Sequence, residues 1–499
     1  MQPVIAEPPA AIAERTRAKS GLGFAALSFV EQNGTLVMLF SAAVYLLVAN
    51  LPSGVQSDGW LALLAGREIV AHGLPSHDTL TVWAHGRQWI DQQWLAQVGL
   101  YGIQRLGGYR LVMLFHAALV LGGFGAACGI ARRRGASALS VTWIGVLGLL
   151  AYFPEAAIMR AQSFAYLFFV AVVGLLFSDS RRRSNRVFFV LPLLVVWANL
   201  HGSVAVGAGL VSIYGLTTLV GARRAPHDGW ARGLTLLVTP WACLLASPYA
   251  ASLPSYYRTI LFSAHFGRYV TEWSPTAWSI VTAPVYILVV AGVWLLGRAR
   301  GGATRFELVA FLVTSLLAFQ ALRNMAWVAL TAILLLPALL DRVRTPPAEP
   351  RRVNRVLAPA ALVGALFIVV ATATKSDAWF VHRYPTAAAN AVAASAGKDG
   401  RIFANEAYAD WLVWTHPALS GRIAYDTRFE LLNTHELGLV QKFRSRIGDW
   451  RSVAAGYRVL VLSGSEEKRS IAAFLRSHEV RKVADDQGIV VLRRVAPHR

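Results

Sequence analysis

Charge is scarce in this 499-residue chain. Only 15% of its residues are Asp, Glu, Lys or Arg, and the acids are the minority, 27 against 48 bases. A soluble domain carries about 25% charged residues. The deficit excludes a soluble globular protein, and 55% hydrophobic residues with a mean hydropathy of +0.47 leave a polytopic membrane protein. Cysteine is nearly absent. The two present, Cys128 and Cys243, both fall inside apolar runs, which excludes a disulfide framework or a cysteine metal motif and leaves small core residues. A cleavable signal peptide is lacking over residues 1–35, so the first span is expected to act as an uncleaved anchor. No metal-ligand spacing such as HExxH links His72, His77 and His85. No Gly-rich phosphate fingerprint follows the strand-like runs of the C-terminal region, and no repeat of fixed period occurs. The net charge of +21 does not signal nucleic acid, because the bases stand in short clusters between apolar runs.

What is present is a series of apolar runs near the roughly 20 residues needed to cross a bilayer. They fall at 34–51, 111–131, 137–154, 161–178, 187–200, 203–221, 232–247, 279–297, 306–322, 324–341 and 356–374, giving about eleven spans. Numbering the connections alternately from an inside N-terminus puts 21 Lys and Arg on inside segments and 8 on the short outside ones, as the positive-inside rule requires. The chain then divides into a cytoplasmic segment 1–33, a transmembrane domain 34–374 with a large first outer loop 52–110, and an extracytoplasmic region 375–499. That last region has strand-like runs at Arg401–Ala404, Arg422–Tyr425, Arg458–Leu462 and Gly488–Leu492. Helical patterns stand at Ala387–Ala396, Ala407–Thr415 and Glu466–Ser477. The alternation predicts a small α/β domain.

The unusual residues gather on the outer side. Loops longer than about 15 residues are functional or disordered, and the aromatics of the first loop (Trp60, Trp83, Trp89, Trp94) speak against disorder. This loop also holds Asp58, Asp78, Asp91 and His72. Later outer connections bring Glu155, Arg160, His201, Tyr256, Arg268, Glu272, Trp273, Arg323 and Asn324. Ionisable groups at span ends are costly and default to functional candidates. Each has a plainer reading as well: Trp and Tyr as an interfacial belt, Arg160 and Arg323 as partners of Glu155 or Glu272, His201 as a helix cap.

The order of motifs resembles the signature of a bacterial branch of the GT-C membrane glycosyltransferase superfamily. The matching residues are Asp58-Gly59-Trp60, Gly66, His72-Gly73-Leu74-Pro75, Asp78-Thr79, Trp89 and Trp94-Leu95. They continue with Trp197-Ala198-Asn199-Leu200-His201-Gly202, Ser247-Pro248-Tyr249, Glu272-Trp273, Arg323-Asn324, Gly421-Arg422 and Asp426-Thr427-Arg428. Leu61 and Ala62 stand where the pattern has Trp-His, and Gln93 stands where it has Glu.

The resemblance implies transfer of a sugar from a polyprenyl-phosphate carrier to an envelope glycan or lipid acceptor, at the outer face of a bacterial inner membrane. Asp58 would be the base, with Asp91 as a second catalytic acid. Trp60, His72, Asp78, Arg160, His201, Arg268, Glu272 and Arg323 would bind substrate, with the arginines meeting phosphate. A divalent metal is left open. Two other readings stand beside it: a non-catalytic envelope assembly protein on the same fold, suggested by the missing His and Glu, and a transporter or flippase of a lipid-linked substrate.

Overall fold

The computed structural model describes residues 9–222, 226–262, 268–345 and 348–495, with the side chains of 9–26, 222–228 and 261–267 outside that description. Thirteen described helices form the apolar part. They are α1 (Pro9–Asn50), α2 (Ser57–His72), α3 (Trp94–Arg133), α4 (Ala138–Ala156), α5 (Gln162–Arg181), α6 (Val190–Leu200), α7 (Val204–Ala222), α8 (Pro226–Leu244), α9 (Leu253–Phe262), α10 (Ala283–Arg298), α11 (Arg305–Gln320), α12 (Met325–Val343) and α13 (Arg351–Ala373). Among the described residues seven stretches are long and apolar enough to cross a membrane, on α1, α3, α4, α5, α7, α12 and α13. The runs at 187–200, 232–247, 279–297 and 306–322 fall on α6, α8, α10 and α11, which are not among them, so the count of eleven is not reached.

Packing sorts the helices. α12 is the centre, with 72% of its most apolar window buried, and α13 is peripheral, with 17% buried. Trp327 of α12 packs on Tyr166, Phe169 and Trp197 at ring separations of 5.7, 4.9 and 6.3 Å. The basic connections meet at one end. Glu307, fully buried, receives Arg134 and Arg181; Asp179 receives Arg232; Asp341 accepts from Ser137 and Ser140; Glu31 receives Arg355. These contacts bring all six connections expected inside to the same end of the bundle.

The other end carries the first loop. Here α3, with 40 residues, is about 60 Å long, twice what a bilayer of about 30 Å requires. It breaks at Gly107 and Gly108, just before the apolar run at 111. Gly108 has φ +68°, and a Cβ there would strike the Asp377 carboxylate, which accepts from the backbone N–H of Tyr109 and Arg110.

The terminal region adds α14 (Thr386–Ala396), α15 (Glu406–Thr415), α16 (Thr434–Ser445) and α17 (Lys468–Arg476). Its sheet holds β1 (Ile402–Ala404), β2 (Val459–Ser463), β3 (Val480–Asp486) and β4 (Ile489–Arg494) in the order β1-β2-β4-β3. Strand β1 is parallel to β2 and the other pairs are antiparallel. The expected strand at Arg422–Tyr425 is reduced to single bridges from Ile423 to Ile402 and to Thr81. Through the latter, the first loop extends the sheet: Val82 and Trp83 donate to the carbonyls of Ile423 and Ala424 at 2.8 and 3.0 Å. Trp83 then enters the terminal core, donating to Tyr457 Oη at 2.7 Å and stacking on Tyr425 at 5.0 Å.

Candidate active site

Helix α2 begins at the base of the first loop. Gln56 is extended as its N-cap, and Asp58 sits in its first turn, where the helix dipole favours a carboxylate. The strand-like pair Val55 and Met159 fixes α2 against the connection between α4 and α5, with Met159 N–H donating to Gly54 at 2.8 Å. Gly59 permits the approach, since a Cβ there would stand 2.9 Å from the Met159 carbonyl. Arg160 follows directly and so lies beside Asp58.

Arg160 is buried at the centre of three carboxylates: Glu272 at 3.1 Å, Glu155 at 3.6 Å and Asp58 at 3.7 Å. Burial opposes its charge, but Glu272, Asp58 and Glu155 outweigh that and hold it a permanent cation. Arg323 brings a second guanidinium, 4.6 Å above the Trp273 ring. Burial would raise Glu272, yet Arg160 and Arg323 pull its carboxyl below the usual range. Asp58 goes the other way: burial, helped by the Glu272 charge, raises it against Arg160 and Arg323. Its side chain is 40% accessible because it faces a cavity, so water moderates that rise compared with a sealed acid.

The cavity measures about 520 Å³ and lies between the helical part and the terminal region. It unites five of the expected residues: Asp58, Arg160, His201, Glu272 and Arg323. His201 is the extended C-cap of α6. Its Nδ1 accepts from the Ser203 backbone N–H at 3.1 Å, which leaves the ring proton on Nε2. Burial, with Arg323 and Arg160 nearby, pushes its pKa far down and keeps it neutral. Neighbouring motif residues brace the site. Asn199 accepts from Trp94 Nε1 at 2.9 Å and donates to Ala246, and Tyr249 Oη reaches the Pro75 carbonyl at 2.8 Å.

The other expected residues stand elsewhere. Asp91 is buried and does not line the cavity; its Oδ1 accepts from Gln97 at 2.8 Å, and burial pushes it up to about 7. Asp78 is fully buried and receives Thr81 Oγ1 at 2.7 Å and Arg428 at 2.6 Å. Burial would raise it, but Arg428 and these hydrogen bonds hold it low. Trp60 is core, edge-on to Tyr109 and Tyr384. His72 is exposed at the end of α2, 3.2 Å from Glu68. Arg268 is exposed and stacks over Tyr269.

Sequence reasoning missed the far wall. Glu406, Glu430, Glu466, Glu467 and Arg444 of the terminal region line the same cavity. Burial pushes Glu430 and Glu467 up to about 7, and Arg444 pairs with Glu406. The signal nearest to them was Asp426-Thr427-Arg428, two residues before Glu430.

Among solved structures the chain matches ArnT from Cupriavidus metallidurans bound to undecaprenyl phosphate, over 93% of this chain and 99% of that one, with TM-score 0.50 and 16% identity. The chain shares the fold of that structure. The Archaeoglobus fulgidus oligosaccharyltransferase tethered with an acceptor peptide matches over 87% of this chain and 70% of that one, with TM-score 0.51 and 11% identity. No family model and no curated protein matches the chain. On this fold the cavity sits where the first loop, the span ends and the terminal region meet. Among the described residues no group of three or more His, Cys, Asp or Glu is arranged to hold a metal.

Proposed function

We propose that this membrane protein is a glycosyltransferase that moves a sugar from a polyprenyl-phosphate carrier to an envelope glycan or lipid acceptor, with Asp58 as the base. The observation that carries the reading is Asp58 opening into a 520 Å³ cavity beside Arg160 and Arg323. The fold neighbour with undecaprenyl phosphate bound supports the donor class. In the step envisaged, the acceptor hydroxyl oxygen bonds to the anomeric carbon as the bond from that carbon to the phosphate oxygen breaks. Asp58 takes the hydroxyl proton, and its raised basicity suits that task. The polyprenyl phosphate leaves with its charge offset by Arg160 and Arg323, the former fixed by Glu272 and Glu155. His201 offers Nε2–H as a neutral donor to a sugar or phosphate oxygen. The positive-inside count supports a cytoplasmic N-terminus and an outer-face site in a bacterial inner membrane.

The test is Asp58→Asn in purified, folded protein with labelled polyprenyl-phosphate sugars. Transfer should fall by roughly 10²- to 10⁴-fold, the span of general-base contributions. Full transfer by the variant would remove Asp58 from the mechanism. Gln93, which lines the cavity where the resembling pattern has Glu, favours a second reading as a non-catalytic assembly protein. Wild-type protein that turns over no lipid-linked sugar but co-purifies with an envelope partner would support it.

A further inference from the structure

Helix α2 separates two cavities. Asp58 and Leu61 face the one described above, while Trp60 and Arg67 border a second of about 460 Å³. At 3.6 residues per turn, Trp60 and Arg67 point roughly opposite to Asp58. The second cavity lies against the break of α3. Tyr101 and Arg105 come from the segment before the break, Tyr109 from just after it, and Trp414 and Thr386 from the terminal region.

Its chemistry differs in sign from the first. None of its described lining side chains is a carboxylate, whereas six line the first cavity. Glu68 is engaged by Arg67 at 3.3 Å and His72 at 3.2 Å, and Asp377 by backbone N–H groups. Arg67 is held in place by the Trp414 and Val413 carbonyls and stacks 5.0 Å over Trp414. Arg105 is exposed. Helix α14, 11 residues long, starts at the cavity with Thr386, and its N-cap Pro385 supplies no side-chain cap. Its N-terminal end carries the positive end of the helix dipole, which adds to the potential of the two guanidiniums. The level is interfacial. Leu106, 83% exposed, precedes the break, and the apolar run follows it. Tyr and Trp rings at this level are those of a membrane–water boundary.

The geometry points to this second cavity as a binding site for the phosphate of an anionic membrane lipid headgroup, gripped by Arg105 and Arg67 and flanked by Tyr101, Tyr109 and Trp414. The lipid would seat the outer half of α3 and the terminal region on the bilayer.

The test uses the full-length protein in phosphatidylcholine nanodiscs doped with phosphatidylglycerol, with retained lipid counted by native mass spectrometry after extraction. Phosphatidylglycerol should be retained in preference to phosphatidylcholine. Arg105→Glu should lower that retention roughly tenfold, given the strength of one cationic side chain near an anionic surface. Arg105→Gln should give a smaller drop in the same direction. Equal retention of the two lipids, or unchanged retention in Arg105→Glu, overturns the site. Loss of bound lipid on adding millimolar inorganic phosphate assigns the site to a free anion and overturns the lipid reading. Arg105 does not line the Asp58 cavity, so transfer measured on the same samples separates this outcome from the fate of the glycosyltransferase reading.

Discussion

Replacing Arg428 by Met tests how the far wall of the cavity is held. The guanidinium is 2% accessible, bonds Asp426 at 2.5 Å and Asp78 at 2.6 Å, and lies 4.2 Å from the Trp89 ring centre. Asp410, also buried, is raised by burial and by the Asp426 charge. Without Arg428 these acids remain buried with their cation gone. Breaking a buried pair by removing one partner costs about 3–5 kcal/mol, and the lost ring contact adds about 1–2 kcal/mol. For a folding unit of about 150 residues or more, 1 kcal/mol moves the melting temperature by about 2–4 °C, so a fall of roughly 10–30 °C is expected. Tryptophan fluorescence on heating the detergent-solubilised protein reads it, and a protease cutting the 421–433 segment reads it locally.

Asp78→Asn is milder, because Asp426 still pairs with Arg428. Combined with Arg428→Met, the two changes should sum to less than their separate costs by about 1 kcal/mol or more. The pH dependence has a definite sign. Asp78 is held below its ordinary value, so its contribution is complete above the unfolded carboxylate pKa near 3.9. It is lost as pH falls through the lower folded value. Acid should therefore narrow the gap between wild type and Asp78→Asn. An Arg428→Met protein melting within about 2 °C of wild type, or strictly additive variants, would refute the coupling of Asp78, Arg428 and Asp426.

Two further outcomes are expected. Asp91, raised to about 7 by burial, loses stability as pH climbs from about 4 to 7 and the folded state is forced to give up its proton. Asp91→Asn should accordingly gain on wild type at pH 8 relative to pH 5 in the same melting assay; a constant difference would place Asp91 in contact with water or a cation. Gly59→Ala should push α2 away from the Met159 carbonyl, cost about 1–3 kcal/mol, and lower transfer through the shifted Asp58–Arg160 distance; a variant with wild-type transfer would show that this spacing is not needed.

Much of the fold was legible because bilayers impose long apolar runs, and because arginine clusters mark one end of them. The pairs Arg134–Glu307, Arg232–Asp179 and Arg355–Glu31 bring those clusters together. The segment 94–106 read as loop because its composition is mixed, and only the Gly107-Gly108 break separates it from the span. Strand β3 was missed because Val480–Asp486 is a charged edge strand with little burial. In the site, Asp58, Arg160, His201, Glu272 and Arg323 were named from the sequence and share one cavity. Asp91 was named beside Asp58 as a second catalytic acid and Asp78 as a substrate-binding one; burial and partners set both apart from Asp58, and neither follows from spacing. The glutamates of the far wall were illegible for a related reason. They come from residues 406, 430, 466 and 467, on elements that meet only after the sheet forms.

The joining of Thr81–Trp83 to the terminal sheet has a consequence for how the protein is made. Asp78 and Arg428 are 350 residues apart in the chain, and the ribosome adds about 5–20 residues each second. The first loop must therefore wait, for roughly tens of seconds, with Trp83 and a buried-to-be aspartate exposed while the rest of the membrane part is inserted. During that interval it is a target for chaperones and proteases. A chain stopped between Ala373 and about residue 460 would keep its spans but leave that loop without the sheet that completes it.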